Sequence, residues 1–315
     1  MHFKNIKDFF VHEAEVLHIY PADLKKYMKR LIGIVSALIS YFFFALSNVL
    51  TKFVSEIPMS DIMFWRYFAI FAIAIIYFLC TGEISKIYKT NVITKHFARG
   101  FFGYVNSYLT IVAMLYLPVA DASSLSYTHG LFMIFLTPFF LKERVSLKAA
   151  FYVMIGFIGV LIISNPKAAN FNFKGTAYGL LAGICLAFSV MYVKVLSISE
   201  SVKSTLFYFA VFTFGMSVLH VFISSSLVWN FNDIMISMII GAIAAIAQVF
   251  LTVSIFCVSP TTTAIVSYSS MIWTSILGYL IWSEIPSMNF YIGSAFILYA
   301  GIASSLRKLK SAKQS

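Results

Sequence analysis

Charge is what this chain has least of. Only 11% of its 315 residues are Asp, Glu, Lys or Arg, against about a quarter in ordinary soluble domains. The acids are scarcer than the bases, twelve against twenty-three, and none of them falls near the middle of an apolar run. That composition excludes an ordinary water-soluble domain. Cysteine is nearly absent too. Cys80, Cys185 and Cys257 each sit alone in an apolar run, with no CxxC spacing, so neither a disulfide framework nor a metal cluster is expected. They read as small core residues. Glycine-rich phosphate loops and dinucleotide fingerprints are missing. Ser217 and His220 share one apolar run without a nucleophile elbow around the serine. The closest pair of acids, Glu13 and Glu15, lies in the N-terminal segment rather than at a membrane edge where magnesium chemistry would need it. Catalytic residues, metal and cofactor are therefore expected to be none.

What the chain has is apolar length. Hydrophobic residues make up 60% of it, and 33 are phenylalanine. A helix needs about 20 apolar residues to cross the hydrocarbon of a bilayer. Transmembrane strands would alternate apolar and polar residues, and runs such as "FAIFAIAIIYFLC" (68–80) do not. Backbone groups in lipid must also pair internally. The expected class is an all-α membrane protein. Ten transmembrane helices are predicted, near 31–53, 61–80, 98–117, 121–141, 147–164, 175–195, 204–224, 235–256, 260–282 and 288–306.

The formal charge of +11 is a topology signal rather than a nucleic-acid footprint. With the N-terminus in the cytoplasm, the basic residues gather on one side. They include Lys25, Lys26, Lys29 and Arg30, Lys86, Lys89, Lys95 and Arg99, Lys142 and Arg144, Lys194 and Lys203, and the tail from Arg307. Only Lys52, Lys167 and Lys174 fall opposite, and Arg66 lies inside a span. Both termini are thus expected in the cytoplasm. Residues 1–30 lack the apolar core of a cleavable signal. Phe3, Ile6, Phe9 and Phe10 form either the apolar face of a surface helix or part of an irregular cytoplasmic tail.

The chain repeats itself. Ala45, Ser47 and Lys52 match Ala187, Ser189 and Lys194 at a spacing of 142. "NSYLTI" (106–111) matches "QVFLTV" (248–253) at the same spacing. Ser126-Tyr127, Glu143 and Ser146 match Ser267-Tyr268, Glu284 and Ser287 at 141. Five spans per repeat is an odd number, so the second is inverted relative to the first. Inverted repeats suit alternating access around a central site. The expected divisions are a cytoplasmic segment 1–30, a first repeat 31–164, a second repeat 175–306 and a basic cytoplasmic tail 307–315.

These motifs resemble the drug/metabolite transporter superfamily, in its EamA family. The resemblance runs through "FWRYFAI" (64–70), "RGFFGYVNSYLTIVAMLYLPVADASSLSYT" (99–128) and "FLKERVS" (140–146). It returns in "AQVFLTVSIFCVSPTTTAIVSYSSMIWTSILGYLIWSEIPS" (247–287) and "YIGSAFILYAGI" (291–302). The "RG" opening of span 3 is similar to a branch that contains bacterial S-adenosylmethionine uptake carriers. The chain departs from the family pattern at Gly130, where a proline is common, and has Met271 at the corresponding place in span 9. The resemblance implies a multi-pass carrier in the bacterial inner membrane. Its implied substrate is a small polar or amphiphilic metabolite, S-adenosylmethionine or amino-acid-like. An intramembrane enzyme or scaffold without transport is the alternative. The lipid bilayer and a small-molecule substrate are the expected partners, nucleic acid is not, and a homodimer is left open.

Ionisable groups inside a membrane are functional candidates by default. Arg66 either holds a substrate carboxylate or phosphate, or reaches the headgroups or Asp61 to fix its helix. His129 either titrates or is a neutral histidine bonded to a neighbouring helix. Asn106 and Gln248 occupy equivalent places, lining a cavity or bonding between helices. Tyr127 and Tyr268, with Ser126 and Ser267 beside them, are the preferred pocket residues, since a phenol offers both an apolar face and a hydroxyl. Trp273 is a further aromatic candidate against a cationic substrate. The two Ser-Tyr pairs are expected to face each other across one central cavity. Gly241, Ala245 and Gly293 are read as close-packing positions.

Overall fold

The computed structural model describes residues 22–54, 56–82, 90–141, 147–164, 172–224 and 230–311. The expectations for residues 1–21, for Glu143 and for Ser146 lie outside the described residues.

All regular structure among the described residues is helical. In chain order the α-helices are α1 (Ala22–Thr51), α2 (Met59–Thr81), α3 (Ile93–Met114), α4 (Val119–Ser126), α5 (His129–Leu141) and α6 (Leu147–Ser164). They continue as α7 (Phe173–Leu196), α8 (Val202–Ser224), α9 (Phe231–Cys257), α10 (Pro260–Ser267), α11 (Ser269–Trp282) and α12 (Met288–Ser311). A single 3-10 turn, Lys52–Val54, closes α1. Among the described residues, six stretches are long and apolar enough on their own to cross a bilayer: Tyr27–Val54, Met59–Thr81, Phe173–Leu196, Val202–Ser224, Phe231–Cys257 and Thr262–Trp282.

Local chemistry sets the ends. Asn172 accepts a hydrogen bond from Gly175 N at 2.9 Å and starts α7. Ser259 accepts from Thr262 N at 3.2 Å and starts α10, with Pro260 in the first turn where its missing N–H costs nothing. Helix α2 stops at Gly82, whose φ of 65° is a left-handed conformation that side chains other than glycine resist.

The spans expected as continuous over 121–141 and 260–282 are both broken. Each break falls at a repeated Ser-Tyr pair: α4 ends at Ser126 and α5 begins at His129, while α10 ends at Ser267 and α11 begins at Ser269. Tyr127 (φ −75°, ψ 0°) and Tyr268 (φ −64°, ψ −19°) stay in the right-handed region, so the chain turns at these points without unwinding. Close packing fits the first break against its neighbour. A Cβ added to Gly183 of α7 would lie 2.8 Å from Thr128 Oγ1 and 3.1 Å from the Leu125 and Ser126 carbonyl oxygens. Gly179, one turn earlier, lies equally tight against Leu125. Small residues spaced by four let helices approach this closely.

The helices pack in crossed pairs. Helix α1 lies against α9, α3 against α7, α2 against both α8 and α9, α3 against α8, and α6 against α12. The α4–α5 unit packs on α7, and the α10–α11 unit on α1. At the α6–α12 contact, Gly159 and Gly293 meet face to face, each Cβ position being 2.5 Å from the other's carbonyl oxygen. Gly293 is thus a packing glycine, as its place in the sequence indicates.

Candidate functional site

A narrow polar cavity lies where α1, α2, α3, α7 and α9 meet beside the α4–α5 break. Helix α3 supplies more of its polar wall than any other helix. Arg99, Gly103, Asn106 and Thr110 follow one another at the 3–4 residue spacing of a single helix face, and Ser107 adds to it. Across from them stand Tyr41 and Asn48 of α1, Arg66 of α2, Ser189 of α7 and Gln248 of α9, with Ser126 and Tyr127 at the break. Phe44, Leu186, Val190, Val193 and Leu251 complete the lining. No Asp or Glu is among the lining residues.

Asn106 and Thr110 hold the break in place. Asn106 Nδ2 donates to Ser126 Oγ at 3.2 Å and to the Ala182 carbonyl of α7 at 3.0 Å, and Thr110 Oγ1 donates to Ser126 Oγ at 3.3 Å. Both readings of Asn106 therefore hold together: it bonds between helices and borders the cavity. The equivalent Gln248 bonds to the first half rather than to the second break. Its Oε1 accepts from Arg99 Nη2 at 3.4 Å, and Thr252 Oγ1 accepts from the same nitrogen at 3.1 Å.

Five of the nine residues singled out in the sequence line the cavity: Arg66, Asn106, Ser126, Tyr127 and Gln248. The other four do not. Tyr268 is 1% exposed, and its hydroxyl packs where a Cβ on Gly130 would stand, 2.7 Å away. Ser267 donates within its own helix to the Ala264 carbonyl at 2.8 Å and lies beside Tyr41. Tyr41 takes the position on the wall that the repeat assigns to Tyr268, and its ring meets Tyr127 edge-on at 5.9 Å. So the two Ser-Tyr pairs do not face each other across the cavity: the first pair lines it and the second does not. Trp273 packs edge-on against Phe42 at 5.2 Å instead. His129 is fully buried and sits against the backbone of Ser126 and Tyr127 at the break, with its ring 6.2 Å from that of Tyr127.

Arg99 is the residue the sequence reading misplaced. A span beginning at 98 puts it among the cytoplasmic flanking charges. Helix α3 starts five residues earlier, so Arg99 lies about 9 Å along it. The residue is 1% exposed, and its guanidinium sits 4.2 Å over the Phe209 ring. The helical spacing of Arg99, Gly103, Asn106 and Thr110 was the available signal.

An ion pair joins the ends of two helices outside the cavity lining. Lys52, at the end of α1, bonds to Glu284 after α11. Lys52 also lies 5.0 Å over the Trp282 ring, and Trp282 Nε1 donates to the Val49 carbonyl at 2.9 Å. At another junction, Glu200 accepts from Thr90 Oγ1 at 2.6 Å and from Ser204 Oγ at 2.8 Å, with His96 Nε2 at 3.7 Å. Burial pushes the Glu200 pKa up, but those hydroxyl bonds and His96 outweigh it and hold the carboxyl below its usual value.

Known proteins share this architecture. A solved crystal structure superposes with a TM-score of 0.63 at 18% identity, covering 90% of this chain and 99% of the other. The pseudopaline exporter CntI of Pseudomonas aeruginosa is 26% identical over 285 residues, which is 88% of this chain and 96% of the exporter. An S-adenosylmethionine uptake transporter of Rickettsia felis is 27% identical over 282 residues, 88% of this chain and 92% of its own. A riboflavin transporter of Brucella anthropi is 25% identical over 272 residues, 82% and 93% of the two chains. These relatives are membrane transporters rather than enzymes. The EamA-like transporter family matches residues 31–165, the first part of this chain of apolar helices.

Proposed function

We propose that the protein is a secondary transporter of the bacterial inner membrane that carries a small polar or amphiphilic metabolite by alternating access. The observation that carries this reading is the polar cavity enclosed among apolar helices at a broken span. Discontinuous helices at a central site are a recurrent feature of transporter folds.

The proposed frame is ten spans in two inverted repeats, 31–164 and 175–306, with both termini in the cytoplasm. The packing supports it. Exchanging the two halves turns the α1–α9 contact into α7–α3, and the α2–α9 contact into α8–α3. It turns the α4–α5 packing on α7 into that of α10–α11 on α1. The repeated serines agree. Ser47 Oγ donates to the Ile240 carbonyl at 3.3 Å, and Ser189 Oγ to the Arg99 carbonyl at 3.2 Å.

In this conformation the cavity is contracted. The space open to the centres of water-sized spheres is about 50 Å³, against roughly 300–1,000 Å³ for small-molecule pockets. A metabolite therefore enters only after the halves move, and Lys52–Glu284 with Trp282 is a contact between the halves that must part. Relatives named for uptake and for export each match 88% of this chain. S-adenosylmethionine is the first substrate to test, followed by amino acids and other nitrogenous metabolites. Purified protein in liposomes is expected to move one of these labelled solutes with saturation. A broad metabolite panel that yields neither flux nor exchange would reject transport.

A further inference from the structure

Two guanidinium groups share the cavity wall, and no carboxylate faces them there. Arg99 is 1% exposed and Arg66 4% exposed, and both line the space. An arginine kept in a membrane protein for structure alone pairs with an acid or a backbone carbonyl, or reaches the headgroups. Arg99 does none of these among the described residues. Its Nη2 is held by the neutral side chains of Thr252 and Gln248. Its Nε and Nη1, and Nε of Arg66, have no hydrogen-bond partner among the described residues. The Phe209 ring covers one face of the Arg99 guanidinium and stabilises the charge without neutralising it.

The repeat makes the arrangement one-sided. At a spacing of 142, the positions equivalent to Arg66 and Arg99 are Tyr208 and Gly241. Both cations therefore belong to the first half. A cationic wall without acids, in a water-poor space, favours an oxyanion that enters it.

We propose that Arg99 and Arg66 form an oxyanion subsite, and that the solute taken by this cavity carries a carboxylate or phosphate group. This rests on the cavity being the solute site. The anionic group is anchored to the first half, and the rest of the solute faces Tyr41, Tyr127 and Gln248.

The test is a set of matched ligand pairs on the purified full-length protein, by thermal shift and by binding titration. S-adenosylmethionine is compared with its decarboxylated analogue, methionine with its methyl ester, and riboflavin with riboflavin 5′-phosphate. Inorganic phosphate is run alone. At least one pair is expected to bind, and its anionic member to bind more tightly. Arg99→Gln should weaken that member about 30-fold or more, the loss typical of removing one side of a buried charge pair. Arg99→Lys should keep part of the affinity, because it keeps the charge and loses the planar fork. Equal affinity for both members of every pair that binds would overturn the subsite, as would wild-type affinity in Arg99→Gln. Saturable flux of a solute in liposomes alongside either result would leave transport standing and remove only the subsite. A panel in which nothing binds and nothing moves removes both. If Arg99→Gln does not fold, the matched pairs on the wild-type protein and on Arg66→Gln still decide.

Discussion

Replacing Gly241 with alanine gives a sharp test of how this protein is packed. Gly241 lies in α9 where that helix crosses α2. A Cβ built there comes 2.2 Å from the carbonyl oxygen of Arg66 and 2.9 Å from the Ala69 Cβ. Ordinary contact begins near 3.4 Å, so the helices must part by about 1.2 Å at this point. The obstructing atom is backbone, and no rotamer change can move it aside. Overpacking of this kind costs about 1–3 kcal/mol. Alanine recovers about 0.5–1 kcal/mol as the better helix former, so the net change is a loss. Gly215 of α8 supplies the control, because a Cβ there meets nothing within 4 Å. Gly215→Ala should raise the unfolding temperature of the purified protein in detergent, and Gly241→Ala should lower it. The Arg66 carbonyl is the displaced atom, so solute affinity should fall in Gly241→Ala along with stability. A Gly241→Ala protein as stable as wild type, beside a stabilised Gly215→Ala, would refute the close α2–α9 contact.

Three further outcomes are expected. Tyr127→Phe should weaken solute binding with little loss of folded protein, because it keeps the buried ring and removes only the hydroxyl at the cavity, whereas Tyr268→Phe should leave binding unchanged; ligand titrations beside detergent melting curves separate the two, and the reverse pattern would place Tyr268 at the cavity. Lys52→Glu should change the flux rate while shifting stability by about 1 kcal/mol or less, as for other exposed ion pairs, and Lys52→Glu with Glu284→Lys should restore the flux; identical flux in all three proteins would remove this contact from the transport cycle. The Glu200 carboxyl has its pKa held down in the folded protein, so its stabilising contribution is full above the ordinary value of 4.5 and lost as pH falls through the lowered one. The difference in melting temperature between wild type and Glu200→Gln should therefore be constant near neutrality and close at acid pH, and a difference that grows on acidification contradicts the sign.

Much of the site was legible because helical periodicity and internal repetition are local properties of a sequence. The repeat drew attention to Asn106, Gln248, Ser126 and Tyr127, and all four line the cavity. The same logic failed for Tyr268 and Ser267. Sequence equivalence carries over position in the repeat, but not which side chains reach the cavity, and here Tyr41 of α1 lines it instead. Trp273 reads as an available aromatic surface, yet Phe42 already occupies its ring. Arg99 was lost for a different reason. Helix ends are weakly specified by local sequence, and a start placed five residues late puts a buried cation at the surface.

The sequence by itself determined the class, the material and the family resemblance. Scarce charge and long apolar runs leave helices in lipid as the available solution, because unpaired backbone is too costly there. It also determined that the two halves are related, since spacings of 141 and 142 need no coordinates to be seen. Tertiary structure decided which polar groups meet. Arg66 and Arg99 lie 33 positions apart on different helices, and nothing local states that they share a cavity without an acid. It decided as well that the spans carrying Tyr127 and Tyr268 are broken at those residues. Both facts depend on which helix faces cross at distances set by glycines such as Gly183 and Gly241. Packing fixes these crossings through many distant contacts at once, which is why a one-dimensional pattern does not contain them.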